Sequence, residues 1–378
     1  MGTNIKHYDL VSFVNKAYRD RQVARRIVDD IREAAKGLGE VKIMGFCGTH
    51  EYTITYYGIR SLMPDNVELI AGPGCPVCIV PAGYIDVAVK LAMEGIRVYT
   101  YGDMYRVPGS DMSLAEARAR GGKVSVVYSF LDALRRAKED RSESVFFAVG
   151  FETTQPTVAS RLIRNYVPPN LKLLVAYRLT PPIMKYALER VDVTLDGVIA
   201  PGHVSTVIGS LPWSFLPNTY KIPTVVAGFE PIDVLIAILM ILKQLNEGTA
   251  ELVNEYTRVV KPKGNVLAKK LTFECFKVVD SYWRGLGLVK RSGLALIERF
   301  KEYDALETYG LKVSKGLDVR PGCRCHEVIM GKAKPTDCPL FLKVCTPNRP
   351  QGPCMVSSEG TCSIWARYSS KSTRNISL

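Results

Sequence analysis

Apolar positions along the chain recur with two different periods, and the alternation between them predicts the architecture. Residues 8–36 follow a helical spacing: Leu10, Val11, Phe13, Val14 and Ala17, then Val23, Ile27, Ile31 and Ala34, with charges on the other face. Gly37 and Gly39 close that helix. Short, nearly continuous apolar runs follow at 41–46, 67–71, 98–101, 124–128, 145–149, 171–176, 198–200 and 224–227. Amphipathic stretches at 85–93, 114–120, 131–138, 158–166 and 232–245 come after most of them. Strands alternating with helices of ~12 residues predict an α/β protein with parallel sheets. MGFCGTH (44–50) and AGPGCPVC (71–78) are echoed by VGFETTQ (149–155) and APGHVST (200–206). The echo suggests two similar α/β domains meeting at Gly-rich loops.

The expected division is an N-terminal helix over 1–39, a first α/β domain over 40–145 and a second over 146–245. A cysteine-rich domain over 246–378 follows, and its Ser/Lys/Asn tail at 369–378 is expected to fray. The 378 residues suit two or three domains, and 47% apolar against 23% charged residues is the balance of a chain with real cores. The longest apolar run, 234–242, is far short of the ~20 residues a bilayer crossing needs. The polar N-terminus lacks a secretory apolar core, so a soluble cytoplasmic protein is expected, with no membrane association. The net charge of +13 is spread through the chain instead of clustering with aromatics, which reads as a solvated surface and not a nucleic-acid interface. An acidic protein partner would also suit it.

The ten cysteines change the picture. Six of them, Cys323, Cys325, Cys338, Cys345, Cys354 and Cys362, crowd near the C-terminal end. In a cytoplasmic setting such a cluster points to metal binding or redox chemistry, not to structural disulfides. Cys323, Cys338, Cys345 and Cys362 are spaced C-x14-C-x6-C-x16-C, which leaves Cys325 and Cys354 over. Four thiolates suit tetrahedral zinc or a [4Fe-4S] cluster, and the surplus pair favours a cluster with an adjacent dithiol. Cys275, among apolar neighbours, reads as a core residue.

Three further motifs each sit between a predicted strand and the helix or loop that follows, where active-site loops of open α/β sheets gather. Cys47-Gly48-Thr49-His50-Glu51 puts a thiol at a helix N-terminus and an imidazole three residues on; the alternative is a buried cysteine with Thr49 as cap. Gly72-Pro73-Gly74-Cys75-Pro76-Val77-Cys78 holds a Cys-x-x-Cys pair, suited to thiol–disulfide cycling or transient metal binding. Gly150-Phe151-Glu152-Thr153-Thr154-Gln155-Pro156-Thr157 offers Glu152 as a proton acceptor or positioning group, or simply a threonine helix cap. His203 is a lone loop histidine and a weaker candidate. No Walker A loop is present, so a nucleotide site has no support.

Together, CGTHE, GPGCPVC, GFETTQPT and the six-cysteine tail, in that order, resemble the HypD family of [NiFe]-hydrogenase maturation proteins. The resemblance runs from about residue 8 to about 368, with Gln155 where the family pattern leads one to expect Thr. It implies an assembly scaffold with redox activity, not a turnover enzyme, on which the Fe(CN)2CO unit is built. The implied partners are a HypC-type small chaperone, a HypE-type cyanide donor and, indirectly, the hydrogenase large-subunit precursor. By resemblance, Cys47 is the iron ligand with His50 beside it, and Cys75/Cys78 are redox active. Cys323, Cys338, Cys345 and Cys362 would hold a [4Fe-4S] cluster, with Cys325/Cys354 as a second dithiol. The implied fold adds a cluster-bearing third domain that includes the N-terminal helix. The competing reading is a cluster-dependent thiol-disulfide oxidoreductase acting on a protein partner; a zinc-stabilised binding module is a third.

Overall fold

All eight predicted apolar runs become strands in the computed structural model, which describes residues 17–191 and 193–375. They are β1 (Val41–Gly45), β2 (Val67–Ala71), β3 (Arg97–Tyr101), β4 (Val124–Val127), β5 (Ser144–Gly150), β6 (Leu171–Tyr177), β7 (Gly197–Pro201) and β8 (Thr224–Ala227). β9 (Leu252–Asn254) escapes a sequence reading because its three residues are half-buried and show no contrast. A hairpin of β10 (Phe276–Trp283) and β11 (Gly287–Leu296) completes the strands.

The strands form two parallel sheets, one in the order β2-β1-β7-β8-β9 and the other β4-β3-β5-β6. Near-continuous burial along β5 and β7 explains their unbroken apolar runs: parallel strands are covered by helices on both faces. The chain builds β1 and β2, leaves for the whole of the second sheet, and returns at β7 to finish the first. The expected boundary at 145/146 therefore falls inside β5, and the first α/β unit is discontinuous. Hydrophobic periodicity marks a strand but not the sheet it joins. The echo is likewise not positional: β1 is the first strand of its sheet, whereas β5 is the third of its own.

Helix Arg21–Ala35 is capped by Asp20, whose carboxylate accepts from the N–H groups of Gln22 and Val23 at 2.8 and 3.0 Å. Residues 8–16 of its predicted span lie outside the described residues. The helix packs on helix Pro231–Asn246, with Val28, Ile31 and Ala35 joining Leu235, Ile238 and Leu242 in one core. Its described part thus belongs to the first sheet and not to the cysteine-rich region. Residues 246–378 are not one domain either. β9 ends the first sheet, and helix Val266–Cys275 packs on helix Gln155–Ile163 beside the second. Cys275 is fully buried there, as expected of a core residue. The last helix, Thr361–Asn375, packs on Gly48–Tyr56, and its backbone stays helical through residues expected to fray. Among the described residues no helix is long and apolar enough to cross a membrane.

Ile31 has no solvent exposure, while Val23 on the same helix is 40% exposed. Ile31→Ala is expected to cost about 3 kcal/mol and Val23→Ala under ~0.5 kcal/mol. Urea unfolding of the two variants checks whether this helix is anchored as described.

Candidate functional site

In each sheet the strand order reverses direction between two neighbours, which opens a crevice at their carboxyl ends. In the first sheet those neighbours are β1 and β7; Cys47 follows β1, and His203, expected in a loop, lies in the first turn of helix Gly202–Ile208 directly after β7. In the second they are β3 and β5; Asp103 lies in the short helix Gly102–Tyr105 after β3, and Glu152 in the loop after β5.

Cys47 is the N-terminal capping position of helix Gly48–Tyr56. Beside it lies the loop leaving β2, the neighbouring strand. A Cβ on Gly74 would sit 2.0 Å from the Phe46 carbonyl oxygen and 2.5 Å from the Cys47 Cα. A Cβ on Gly72 would crowd Met44 and Phe46. Only glycine lets the two loops touch backbone to backbone, which brings the Cys75–Cys78 turn next to Cys47. Cys75 and Cys78 are joined in a disulfide with Cα atoms 5.4 Å apart. Both are almost fully buried, at 4% and 2% exposure.

Burial pushes the Cys47 thiol up to about 11, aided by the nearby Glu359 carboxylate. The N–H groups of Thr49 and His50 at the helix start pull the other way but do not win. An incoming soft metal ion would therefore displace a proton from Cys47.

His50 is fully buried, and its Nε2 lies 2.9 Å from the Gly228 carbonyl and 3.3 Å from that of Ala227. Two acceptors fix the tautomer with hydrogen on Nε2, which leaves Nδ1 as a lone pair with no hydrogen-bond partner. The Phe229 ring stacks on His50 at 4.7 Å and on His203 at 3.9 Å, so it lies against both imidazoles. Burial pushes the His50 ring down to about 4. The ring therefore stays neutral through mild acid, because the charged form would be desolvated.

Glu51 is a structural tie. It receives Arg60 at 3.0 Å, Thr55 at 2.8 Å and the Trp365 indole N–H at 2.7 Å, so it fastens the last helix to the Cys47 helix. Glu152 accepts from the N–H and hydroxyl of Thr180 at 2.7 and 3.1 Å, at the start of helix Thr180–Arg190. Burial raises it to about 7, and its second oxygen has no partner. Glu152 thus follows β5 at the carboxyl edge of the second sheet.

The six C-terminal cysteines all line one small pocket, together with Gly352. A Cβ on Gly352 would lie 3.1 Å from the Cys323 sulfur and 3.2 Å from that of Cys325, so the wall beside the thiols is kept flat. All six are free thiols. Cys323 shares a hydrogen bond with Cys325, and Cys354 with Cys362. The expected dithiol Cys325/Cys354 lies within electrostatic reach of each other but is not joined. The sulfurs surround a space: among the described residues, no three Cys, His, Asp or Glu side chains converge as a single-ion site. A cubane cluster takes one thiolate at each iron corner, so the donors here fit it.

The sequence model of the family described as "HypD: Hydrogenase formation hypA family" matches residues 22–369. The chain belongs to the HypD family. A relative in Methanocaldococcus jannaschii, named for hydrogenase expression/formation, is 47% identical over 352 residues, covering 92% of this chain and 98% of that one. Hydrogenase maturation factor HypD of Azotobacter vinelandii is 43% identical over 362 residues, covering 93% and 95%. HypD of Escherichia coli is 40% identical over 361 residues, covering 93% and 96%.

For a HypD-family chain, motif reading missed the residues that complete the Cys47 surroundings. Glu359 is one: its main chain presses on Gly48, where a Cβ would meet the Glu359 carbonyl at 2.5 Å. Burial raises its carboxyl to about 7, with Asp103 adding repulsion. Asp103 itself accepts from Ser357 and from the N–H and hydroxyl of Ser358. The only sequence signal was a lone acid just before Cys362. Phe229 lies in a second Gly-Phe-Glu, at 228–230, which gives no hint that it stacks on two histidines.

The depressed His50 value has a definite sign. Between pH 6.5 and about 4 the unfolded ring takes up a proton that the folded ring refuses, so stability falls as pH drops through that window. The buried glutamates act oppositely, so a comparison isolates the term. His50→Gln is expected to remove an acid-side loss of at most roughly 3 kcal/mol, seen as a stability difference between variant and wild type that shifts in the variant's favour as chemical denaturation is repeated from pH 7 down to pH 4.

Proposed function

We propose that this HypD-family protein is the scaffold on which the Fe(CN)2CO unit of [NiFe] hydrogenases is assembled as cargo. The observation that carries the proposal is the glycine-mediated contact that sets a disulfide beside a lone buried thiol at the sheet crevice. Cys47 would hold the iron: a soft thiolate suits a metal carrying strong-field ligands, and binding would release the thiol proton into the neutral, pre-oriented surroundings of His50. His50 keeps an unprotonated Nδ1 there as a hydrogen-bond acceptor that orients a neighbouring donor. Cys75 and Cys78 would store reducing equivalents. Reduction of their disulfide takes up two electrons and two protons and yields two thiols; re-oxidation returns them to the site.

The six C-terminal cysteines would hold the [4Fe-4S] cluster through Cys323, Cys338, Cys345 and Cys362, with Cys325 and Cys354 alongside. When bound, such a cluster supplies single electrons. The pocket and the Cys75–Cys78 turn share one contiguous apolar core, which keeps water from the region between them. The partners that fit this role are a HypC-type chaperone, a HypE-type cyanide donor and a hydrogenase precursor that receives the finished unit.

The disulfide also favours the second reading, a cluster-dependent thiol-disulfide oxidoreductase. Its burial argues against that: a protein disulfide would have to reach sulfurs that are 4% and 2% exposed. Infrared spectra of the protein isolated anaerobically with its partner separate the two. Cyanide and carbonyl stretching bands are expected in the wild type and should vanish in Cys47→Ala while iron and sulfide at the C-terminal site persist. Bands that survive Cys47→Ala would move the iron to Cys75 or Cys78, and a wild type without bands would favour the reductase.

A further inference from the structure

The turn that leaves β8 is held from two sides. Toward the Cys47 helix, the Gly228 carbonyl meets His50 Nε2 at 2.9 Å, and the Phe229 carbonyl accepts the Thr53 hydroxyl at 2.7 Å. On the opposite side the Gly228 N–H donates to the Glu255 carboxylate at 3.0 Å, and the Glu230 N–H to that of Asp233 at 3.1 Å. The Ala227–Gly228 peptide therefore carries Glu255 on its N–H and His50 on its carbonyl, the latter at 3.3 Å. A Cβ on Gly228 would collide with the Asp233 carboxylate and come within 2.8 Å of Arg258 Nη2, so only glycine lets the turn lie flat on these groups. Asp233 is fully buried in the first turn of helix Pro231–Asn246, and Glu255 directly follows β9. Arg258 donates to Asp233 and, at 3.5 Å, to Glu255, and its guanidinium lies over the rings of Tyr18 and Tyr256 at 4.2 and 4.4 Å. Two carboxylates against one guanidinium leave an excess negative charge. Glu255 and Asp233 also hydrogen-bond each other, which two carboxyls do by sharing a proton; burial raises Glu255 to about 7, with the Asp233 charge adding to the rise.

We propose that Asp233, Glu255 and Arg258 are positioning residues for His50: they fix the Ala227–Phe229 turn, whose two carbonyls keep hydrogen on His50 Nε2 and leave Nδ1 as a lone pair. Phe229, held in the same turn, stacks on His50 and His203 and sets the ring plane. The use of an oriented His50 rests on the scaffold reading above, whereas the positioning itself does not. Without the Glu255 carboxyl the Gly228 N–H loses its partner, the peptide is free to rotate, and the His50 ring gains its second tautomer. Glutamine at 255 reproduces a protonated glutamate, because its oxygen accepts from Gly228 and its amide donates to Asp233.

The test is nitrogen-15 magnetic resonance of the full-length protein labelled at its four histidines, with the His50 signals assigned by their loss in His50→Gln. The two nitrogens of a neutral imidazole differ, one carrying hydrogen and one a lone pair, so a locked ring gives two widely separated resonances and tautomer exchange draws them together. Wide separation is expected in the wild type and in Glu255→Gln, and loss of it in Glu255→Ala. A merely structural role would lower the unfolding midpoint without moving these resonances. A Glu255→Ala protein with the wild-type separation, or a wild type that already lacks it, overturns the inference. Should Glu255→Ala not fold, Arg258→Met carries the test, since that side chain is 32% exposed. A narrowed separation there is the expected result, and an unchanged one overturns the proposal. The measurement needs no iron on the protein, so a wild type without cyanide and carbonyl bands overturns the scaffold reading alone.

Discussion

The proposed assembly site depends on one close contact, the approach of the β2 exit loop to the β1 exit loop. Adjacent parallel strands deliver their following loops to the same edge, but side chains normally hold such loops apart. Gly72 and Gly74 remove that obstacle, and the Phe46–Cys47 backbone fills the space. The consequence is chemical: a disulfide and a free thiol lie buried on loops that touch. Gly48 repeats the device on the other side, where it admits the Glu359 main chain. Cys47 is therefore enclosed by segments more than 280 residues apart in sequence.

The C-terminal part is not a separate appendage. Glu51, in the Cys47 helix, receives the Trp365 indole, and Arg60 completes that junction by lying over the Trp365 ring at 4.9 Å. Arg284 makes a second junction, from the segment just after the Cys75–Cys78 turn, through Ile79 and Val80, to the Asp318 carbonyl. Two buried polar ties thus fasten the C-terminal part to the segments that follow β1 and β2. Fully satisfied networks of this kind specify geometry more than they add stability.

Much of this was legible in the sequence, for a physical reason. Strands covered on both faces are apolar throughout, so β1 to β8 announced themselves, and strand-end loops with cysteines flagged the chemistry. Chain order between sheets was not legible, because nothing in the apolar run of β7 says that it pairs with β1 and not with β6. Residue roles that depend on a partner were also hidden. Glu152 read as a proton acceptor or positioning group, and its tie to Thr180 at the start of a helix was not visible, nor was the link of the lone His203 to His50 through Phe229. Composition could not reveal that His50 would be locked in one tautomer by the carbonyl of residue 228, 178 positions away.

The central claim is that two iron-bearing sites of different kinds occupy one chain. Anomalous X-ray diffraction at the iron and zinc edges, on crystals of the protein grown anaerobically with its partner, tests it most directly. The account predicts a compact group of iron peaks inside the pocket of the six cysteines and a separate single iron peak at Cys47, with no zinc at either. A zinc peak in the pocket, or an iron peak on Cys75 or Cys78 with none at Cys47, would contradict it.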